Sequence, residues 1–270
     1  MQGPAPLCRP ARRPIPSDRS LPLLIVITMN SHATLGILGG MGPAAGIDLC
    51  RKIVDQHPAS RDQDHIPFIL YSVPQIPDRT EALLHDGASP LDGMLDGVHA
   101  LEQSGAGCIA IACNTAHAWL DALRHRTRLP VLDVVEAVAG ELSSCVAPGS
   151  PIGLMATEGT HHANVYRPRL EALGYRFASA AEPLAHQALV NEGIRLTKAG
   201  DVRRGGEALA MAMEQLLAAG AQRVILGCTE IPVALATCET PLGRFGLDAS
   251  AALARACIAW SLAHENPVAA

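Results

Sequence analysis

The chain has 270 residues, 49% hydrophobic, 17% charged and only 3% aromatic, which is enough apolar material for one large globular domain or two smaller ones. Its net charge of -5 lacks the basic footprint of a nucleic-acid binder, and no apolar run reaches the roughly 18 residues of a membrane-spanning helix. The eight cysteines, at 8, 50, 108, 113, 145, 228, 238 and 257, show no CxxC pair or other metal-ligand spacing and do not resemble a secreted disulfide framework, so a reducing, cytoplasmic setting is expected.

Residues 1–32 stand apart. Met1–Ser20 is rich in proline and arginine without any helical or strand period, and the apolar stretch Leu21–Met29 follows. Arginines ahead of a short apolar run resemble a signal peptide, but the cleavage-site pattern is poor. The segment is read as a disordered extension, or as a start assigned too early, with Met29 as the first residue.

From Thr34 the pattern becomes strand, turn, helix. Leu35–Leu38 is a short strand, Gly39–Pro43 a tight turn, and Pro43 suits the first position of a helix running from Ala44 to Gln56. His65–Val73 reads as a second strand and Pro74–Arg79 as a loop. Ser89–Ser104 is a helix ended by Gly105, Cys108–Ala112 a third strand, Thr115–Arg126 a helix and Val131–Val134 a strand. Strands alternating with helices argue for a parallel sheet covered on both faces.

The second half restates this plan. Ile152–Met155 is a strand entering the turn Ala156–Thr160. Val165–Leu173 is a helix closed by Gly174, Gly205–Ala219 a helix closed by Gly220, and Val224–Leu226 the strand before Cys228. From Gly36 to Cys113 is 77 residues, and from Gly153 to Cys228 is 75. The near-equal spacing points to an internal duplication. The expected fold is α/β, with two similar lobes, each a parallel sheet flanked by helices, related by a pseudo-twofold axis with the active site between them. Residues 33–135 plus 247–270 form the first lobe and 136–246 the second, the alanine-rich helix Ser250–His264 packing back on the first.

Cys113 and Cys228 each end an apolar, β-branched run and are followed by amide or hydroxyl side chains. Such runs read as buried parallel strands, and open α/β sheets place their ligand crevices at the carboxyl ends of strands. A lone strand-end cysteine is more often buried filler. Two of them from related lobes supply what cofactor-free inversion of a stereocentre requires, a base on one face of Cα and an acid on the other. Each precedes a turn into a helix, whose amides lower a thiol's pKa and bind carboxylates. Asn114, Thr115 and Thr229 add donors at the same place.

Four motifs in order carry a resemblance. Leu35-Gly-Ile-Leu-Gly-Gly-Met-Gly-Pro43, Pro74-Gln-Ile-Pro-Asp-Arg-Thr80, Cys113-Asn-Thr-Ala-His117 and Gly227-Cys-Thr-Glu-Ile-Pro232 resemble the aspartate/glutamate racemase family, nearest its aspartate racemase and related amino-acid racemase branch. The likeness spans Thr34 to the C-terminal helix. It implies racemisation without pyridoxal phosphate or any other cofactor or metal, a two-lobed fold, a homodimer, and a small amino-acid substrate, aspartate, with neither nucleic acid nor membrane as partner.

By that resemblance Cys113 and Cys228 are the catalytic thiols, and Asn114, Thr115 and Thr229 hold the α-carboxylate. Arg79 and Lys198 are the cations for the distal carboxylate, Met41 and Gly42 line the cleft floor with backbone amides, and Thr160 is a further substrate contact. Glutamate racemases commonly carry histidine where this chain has Glu230, which weakens a glutamate assignment. The alternatives are a broad-specificity amino-acid racemase of the same branch and a non-catalytic dicarboxylate-binding relative. A single-cysteine decarboxylase or maleate-type isomerase is disfavoured because both thiols are present.

Other signals are set aside. Gly36–Gly42 lacks the spacing of a dinucleotide loop. His161-His162 has no ligand partner at a sensible spacing. His117 either tunes the Cys113 thiol or caps and packs, and Asp48, Asp92 and Asp96 read as solvated helix faces.

Overall fold

A computed structural model describes residues 33–238 and 241–264; the N-terminal extension expected at 1–32 and the tail 265–270 lie outside the described residues. The first half forms β1 (Leu35–Gly39), α1 (Pro43–Gln56), β2 (Phe68–Ser72), α2 (Arg79–Leu84), α3 (Leu91–Gln103), β3 (Cys108–Ile111), α4 (Leu120–Arg124), β4 (Val131–Leu132) and α5 (Val134–Cys145). The second forms β5 (Pro151–Ala156), α6 (Glu158–His162), α7 (Arg167–Ala172), β6 (Arg176–Phe177), α8 (Pro183–Lys198), α9 (Val202–Ala218), β7 (Arg223–Gly227), α10 (Glu230–Leu235), β8 (Gly246–Asp248) and α11 (Ala249–Ala263).

The strands make two four-stranded parallel sheets with the same order, β2-β1-β3-β4 and β6-β5-β7-β8. In each, the chain leaves the first strand to one side and returns on the other. The crevice of such a sheet lies at the carboxyl ends of the two strands flanking that reversal. In the first sheet these are β1 and β3, which deliver Met41 and Cys113. In the second they are β5 and β7, which deliver Thr157 and Cys228. β1 and β3 are buried along their whole length, as the apolar β-branched runs predict.

Three apolar clusters hold the layers together. α3 and α4 cover the outer face of the first sheet through Met94, Val98, Leu101 and Leu123. α8, α9 and α10 cover the outer face of the second through Val190, Leu209, Met213 and Ile231. The third cluster is shared, with Leu35 and Ile37 of β1, Ile152 and Leu154 of β5, Val138 and Leu142 of α5, and Leu253 and Cys257 of α11 packed as one interior. α11 lies against α1 and α5, and both α5 and α11 start from aspartate caps. Asp133 accepts from the Val135 N–H at 2.8 Å, and Asp248 from the Ser250 and Ala251 N–H groups at 2.9 and 3.1 Å.

Asp248 also meets the Lys52 ammonium at 2.7 Å, and Lys52 meets Asp48 one helical turn away at 2.5 Å. Asp48 is therefore buried rather than solvated as its pattern suggests, because its face of α1 turns toward β8. Asp92 and Asp96 are exposed as expected. The turn after β1 depends on Gly40, whose φ is +96°; a Cβ there would meet the Val73 backbone at 2.3 Å.

Several elements differ from the sequence reading. β2 starts at Phe68, since Pro67 has no N–H for the ladder. The helix expected from Thr115 opens as a 3-10 turn, Thr115–Trp119, before α4. α5 begins with Val134-Val135, which reads as more of the preceding strand. β6 and β8 are two and three residues long, too short for a period. α8 buries only His186, Val190, Gly193, Ile194 and Leu196 of its 16 residues, so its apolar stripe is thin.

Because Leu253 is 2% exposed in the shared interior, Leu253→Ala is expected to lower the unfolding free energy by about 2–5 kcal/mol. Urea denaturation followed by circular dichroism should still show a single transition, and two separate transitions would contradict an interior common to both sheets.

Candidate active site

Cys113 follows β3 and Cys228 follows β7, and both line one narrow cavity of about 20 Å³. The first half contributes Met41, Asp78, Arg79, Thr80, Cys113, Asn114 and Thr115 to its wall, and the second Thr157, Lys198, Cys228, Thr229 and Glu230. The two thiols are 8% and 7% exposed. The topology thus brings together residues more than a hundred positions apart, because both sheets present the carboxyl ends of their central strands to the same interior.

The Cys228 side is built around a carboxylate. The Cys228 thiol donates to Glu230 Oε2 at 2.9 Å, and the Thr229 hydroxyl donates to the same oxygen at 3.0 Å. Burial first, and then the Glu230 charge and hydrogen bond, push the Cys228 thiol well above the usual range, outweighing Lys198 and the Glu230 N–H. This corrects the expectation that helix amides lower the thiol's pKa. α10 is a short helix that contributes a single amide, and a carboxylate within hydrogen-bond distance together with desolvation exceeds it.

The Cys113 side is braced from behind. His117 Nδ1 lies 2.9 Å from the Cys113 carbonyl, and the Val134 N–H donates to His117 Nε2 at 3.2 Å. With Nε2 accepting, Nδ1 carries the proton and donates to the carbonyl. Burial lowers the imidazole's pKa, so the ring is neutral, and its two partners are backbone groups. His117 therefore ties the Cys113 turn to the start of α5, and its ring nitrogens hold backbone groups rather than the thiol.

Cross-lobe polar contacts surround the cavity. Thr115 Oγ1 lies 3.0 Å from Thr157 Oγ1 and 2.9 Å from Thr160 Oγ1, and the last two are 3.0 Å apart, forming a triangle of hydroxyls. Tyr166 donates to Asn114 Oδ1. Arg169 binds Asp133 through both terminal nitrogens. Gly159 packs against Thr80, where a Cβ would meet Thr80 Oγ1 at 2.9 Å.

The remaining predicted residues fall as follows. Arg79 is buried and donates to the carbonyls of Ile76 at 3.2 Å, Pro77 at 2.9 Å and Met41 at 3.1 Å. Its Nε is buried with no hydrogen-bond partner. Met41 lines the cavity and presents its carbonyl to Arg79, where backbone amides were expected. Gly42 lines an adjoining cavity. Lys198, the exposed last residue of α8, borders both cavities. Thr160 is 1% exposed and stands behind Thr115 and Thr157 rather than on the cavity wall.

Sequence reasoning missed Glu230 as the Cys228 partner, Thr157 and Asp78 as wall residues, and Tyr166 as the brace on Asn114. A carboxylate two residues beyond a strand-end thiol was the available signal for Glu230. Asp78 caps α2, accepting from the Thr80 and Glu81 N–H groups at 2.7 and 3.0 Å. Burial works against its carboxylate, but those amides and the charges of Arg79 and Lys198 hold it below the usual range. Among the described residues there is no group of three or more His, Cys, Asp or Glu side chains placed to hold a metal, and no helix long and apolar enough to cross a membrane.

Comparison with known proteins agrees with this geometry. The family described as Asp/Glu/Hydantoin racemase matches residues 38–257. The broad specificity amino-acid racemase RacX of Bacillus subtilis is 26% identical over 236 residues, covering 86% of this chain and 100% of that protein. A glutamate racemase of Deinococcus radiodurans is 30% identical over 203 residues, covering 72% of this chain and 62% of that protein. The structure of Picrophilus torridus aspartate racemase superposes with a TM-score of 0.75 at 27% identity, covering 85% of this chain and 94% of that one. With paired parallel sheets, strand-end thiols on one cavity and a family match across both lobes, the chain belongs to the Asp/Glu/hydantoin racemase family.

Proposed function

We propose that this racemase interconverts L- and D-aspartate without a cofactor, with Cys113 and Cys228 as the two-base pair. The observation that carries the reading is that both strand-end thiols line one cavity. In one direction the Cys113 thiolate takes the Cα proton, leaving an enolate-like carbanion, and the Cys228 thiol delivers its own proton to the opposite face. In the other direction the roles exchange, and no atom is gained or lost. The hydrogen bond to Glu230 described above keeps the proton on the Cys228 sulfur until the substrate takes it, and in the other direction the thiolate left on Cys228 takes the Cα proton back.

Developing charge on the carboxylate carbon needs preorganised donors. Asn114, Thr115 and Thr229 stand beside the thiols for this role. The distal carboxylate goes to Arg79 and Lys198. Asp78 is occupied by the amides of α2 and Glu230 by Cys228 and Thr229, whereas the buried Arg79 Nε has no partner. A cavity of about 20 Å³ holds roughly one water, so aspartate enters only as the wall widens, and the exposed Lys198 is the side chain freest to move. The family likeness supports a homodimer, and the cysteine pattern supports a reducing, cytoplasmic setting. The full-length match to a broad-specificity racemase favours a second reading in which aspartate is one of several substrates.

Cys113→Ala and Cys228→Ala are each expected to lower racemisation of both aspartate enantiomers by about 10²–10⁴-fold, assayed without pyridoxal phosphate. Wild type should exchange the aspartate α-hydrogen in heavy water, whereas a non-catalytic binding protein would exchange none. Retention of full activity in both variants sinks the two-thiol mechanism.

Lys198→Ala should reduce kcat/KM for aspartate by about 10–100-fold, the effect of losing one hydrogen bond to a charged group worth roughly 1.5–3 kcal/mol. An unchanged value would remove Lys198 from the substrate contacts.

Since Glu230 raises the Cys228 pKa, Glu230→Gln should let the thiolate form at lower pH. Alkylation of Cys228 followed against pH in a Cys113→Ala background measures this. A profile that stays put or moves upward would contradict the coupling.

A further inference from the structure

A second cavity of about 350 Å³ adjoins the thiol cavity and shares four wall residues with it, Arg79, Lys198, Thr229 and Glu230. Its far wall is mainly aliphatic, formed by Pro43, Ala44 and Ala45 at the start of α1, Val202 at the start of α9 and Val233 on α10. The volume equals that of about a dozen waters, far more than the single carboxyl group by which aspartate's side chain exceeds a methyl. An α-carbon held between Cys113 and Cys228 has its carboxylate toward Asn114, Thr115 and Thr229. The four shared residues, Arg79, Lys198, Thr229 and Glu230, form the lip between the two cavities, and the larger cavity opens past it.

We infer that this cavity is a side-chain subsite, and that the enzyme takes amino acids with unbranched, methylene-rich side chains longer than that of aspartate. The inference rests on the racemase reading above and extends it to the substrate side chain. The lip carries the Arg79 and Lys198 cations, together with Thr229 and the Glu230 carboxylate that Cys228 and Thr229 already occupy, where a short side chain ends. Beyond it, Ala44, Ala45, Val202 and Val233 offer apolar contact and no charge, so a longer stem gains burial there. Pro43 and Ala44 are exposed, so the cavity reaches the surface and a long side chain can enter through it.

The test compares racemisation of L-aspartate, L-2-aminoadipate and L-norleucine by the wild-type enzyme and by Val202→Phe and Val233→Phe, which fill the cavity without touching the thiols. Wild type should turn over at least one longer substrate. In the filled variants its kcat/KM should fall by about tenfold or more, while that for aspartate changes by less than about twofold. Having two variants guards against one that fails to fold, and retained aspartate activity reports folding directly. Activity on aspartate with neither longer substrate used would overturn the subsite and leave the aspartate reading standing. Equal loss on all substrates in both filled variants would also overturn it, marking the cavity as a common entrance. Inactivity of wild type on every amino acid would instead sink the racemase reading, and the subsite with it.

Discussion

The site depends on the packing of α5 and α11 between the two sheets. Each sheet alone has one crevice at the carboxyl ends of its central strands, open to water. The shared interior of Leu35, Ile37, Ile152, Leu154, Val138, Leu142, Leu253 and Cys257 removes apolar surface of both sheets from water at once. Once that interior is closed, the end of β3 and the end of β7 stand over a common gap. Cys113 and Cys228 become neighbours without any direct contact needing to hold them so.

Polar contacts refine what the apolar interior sets up. The Asp133–Arg169 pair, the Tyr166–Asn114 hydrogen bond, the threonine triangle and the Asp48–Lys52–Asp248 chain all join one half of the protein to the other. Buried ion pairs contribute little net stability because desolvation offsets their attraction, but a wrongly placed partner costs several kcal/mol. They join the two sheets in the alignment that sets Thr115 against Thr157 and Thr160 and Tyr166 against Asn114. His117 and Asp133 extend the same bracing to α5, so the turn that carries Cys113 is held from two directions.

The two thiols sit in different chemical surroundings although the strands that carry them follow the same order. Cys228 faces a carboxylate two residues along the chain and is held as a thiol. Cys113 has a neutral histidine that is occupied with backbone groups. Two sheets of the same strand order therefore carry unlike side-chain surroundings at their two strand-end thiols. The difference comes from individual side chains, Glu230 against His117, rather than from the fold.

Much of this was legible in the chain. The β-branched runs ending at Cys113 and Cys228 read as strands buried on both faces, the glycines at 105, 174 and 220 mark helix ends, and the 77- and 75-residue spacings record the repeated order of strands. These are local or periodic signals, and local propensity and burial pattern are written residue by residue. The sequence by itself therefore determined the fold class, the repeat, and the family motifs that carry the thiols and the Arg79 loop. The tertiary structure decided which groups touch. It turned Asp48 inward to Lys52, moved Thr160 behind the wall, bound Arg79 to three carbonyls and set Glu230 against the Cys228 thiol. Those outcomes depend on how two separately specified sheets meet, and the strength of a hydrogen bond or a desolvation penalty is set by distances of a few ångström between residues that the sequence places far apart.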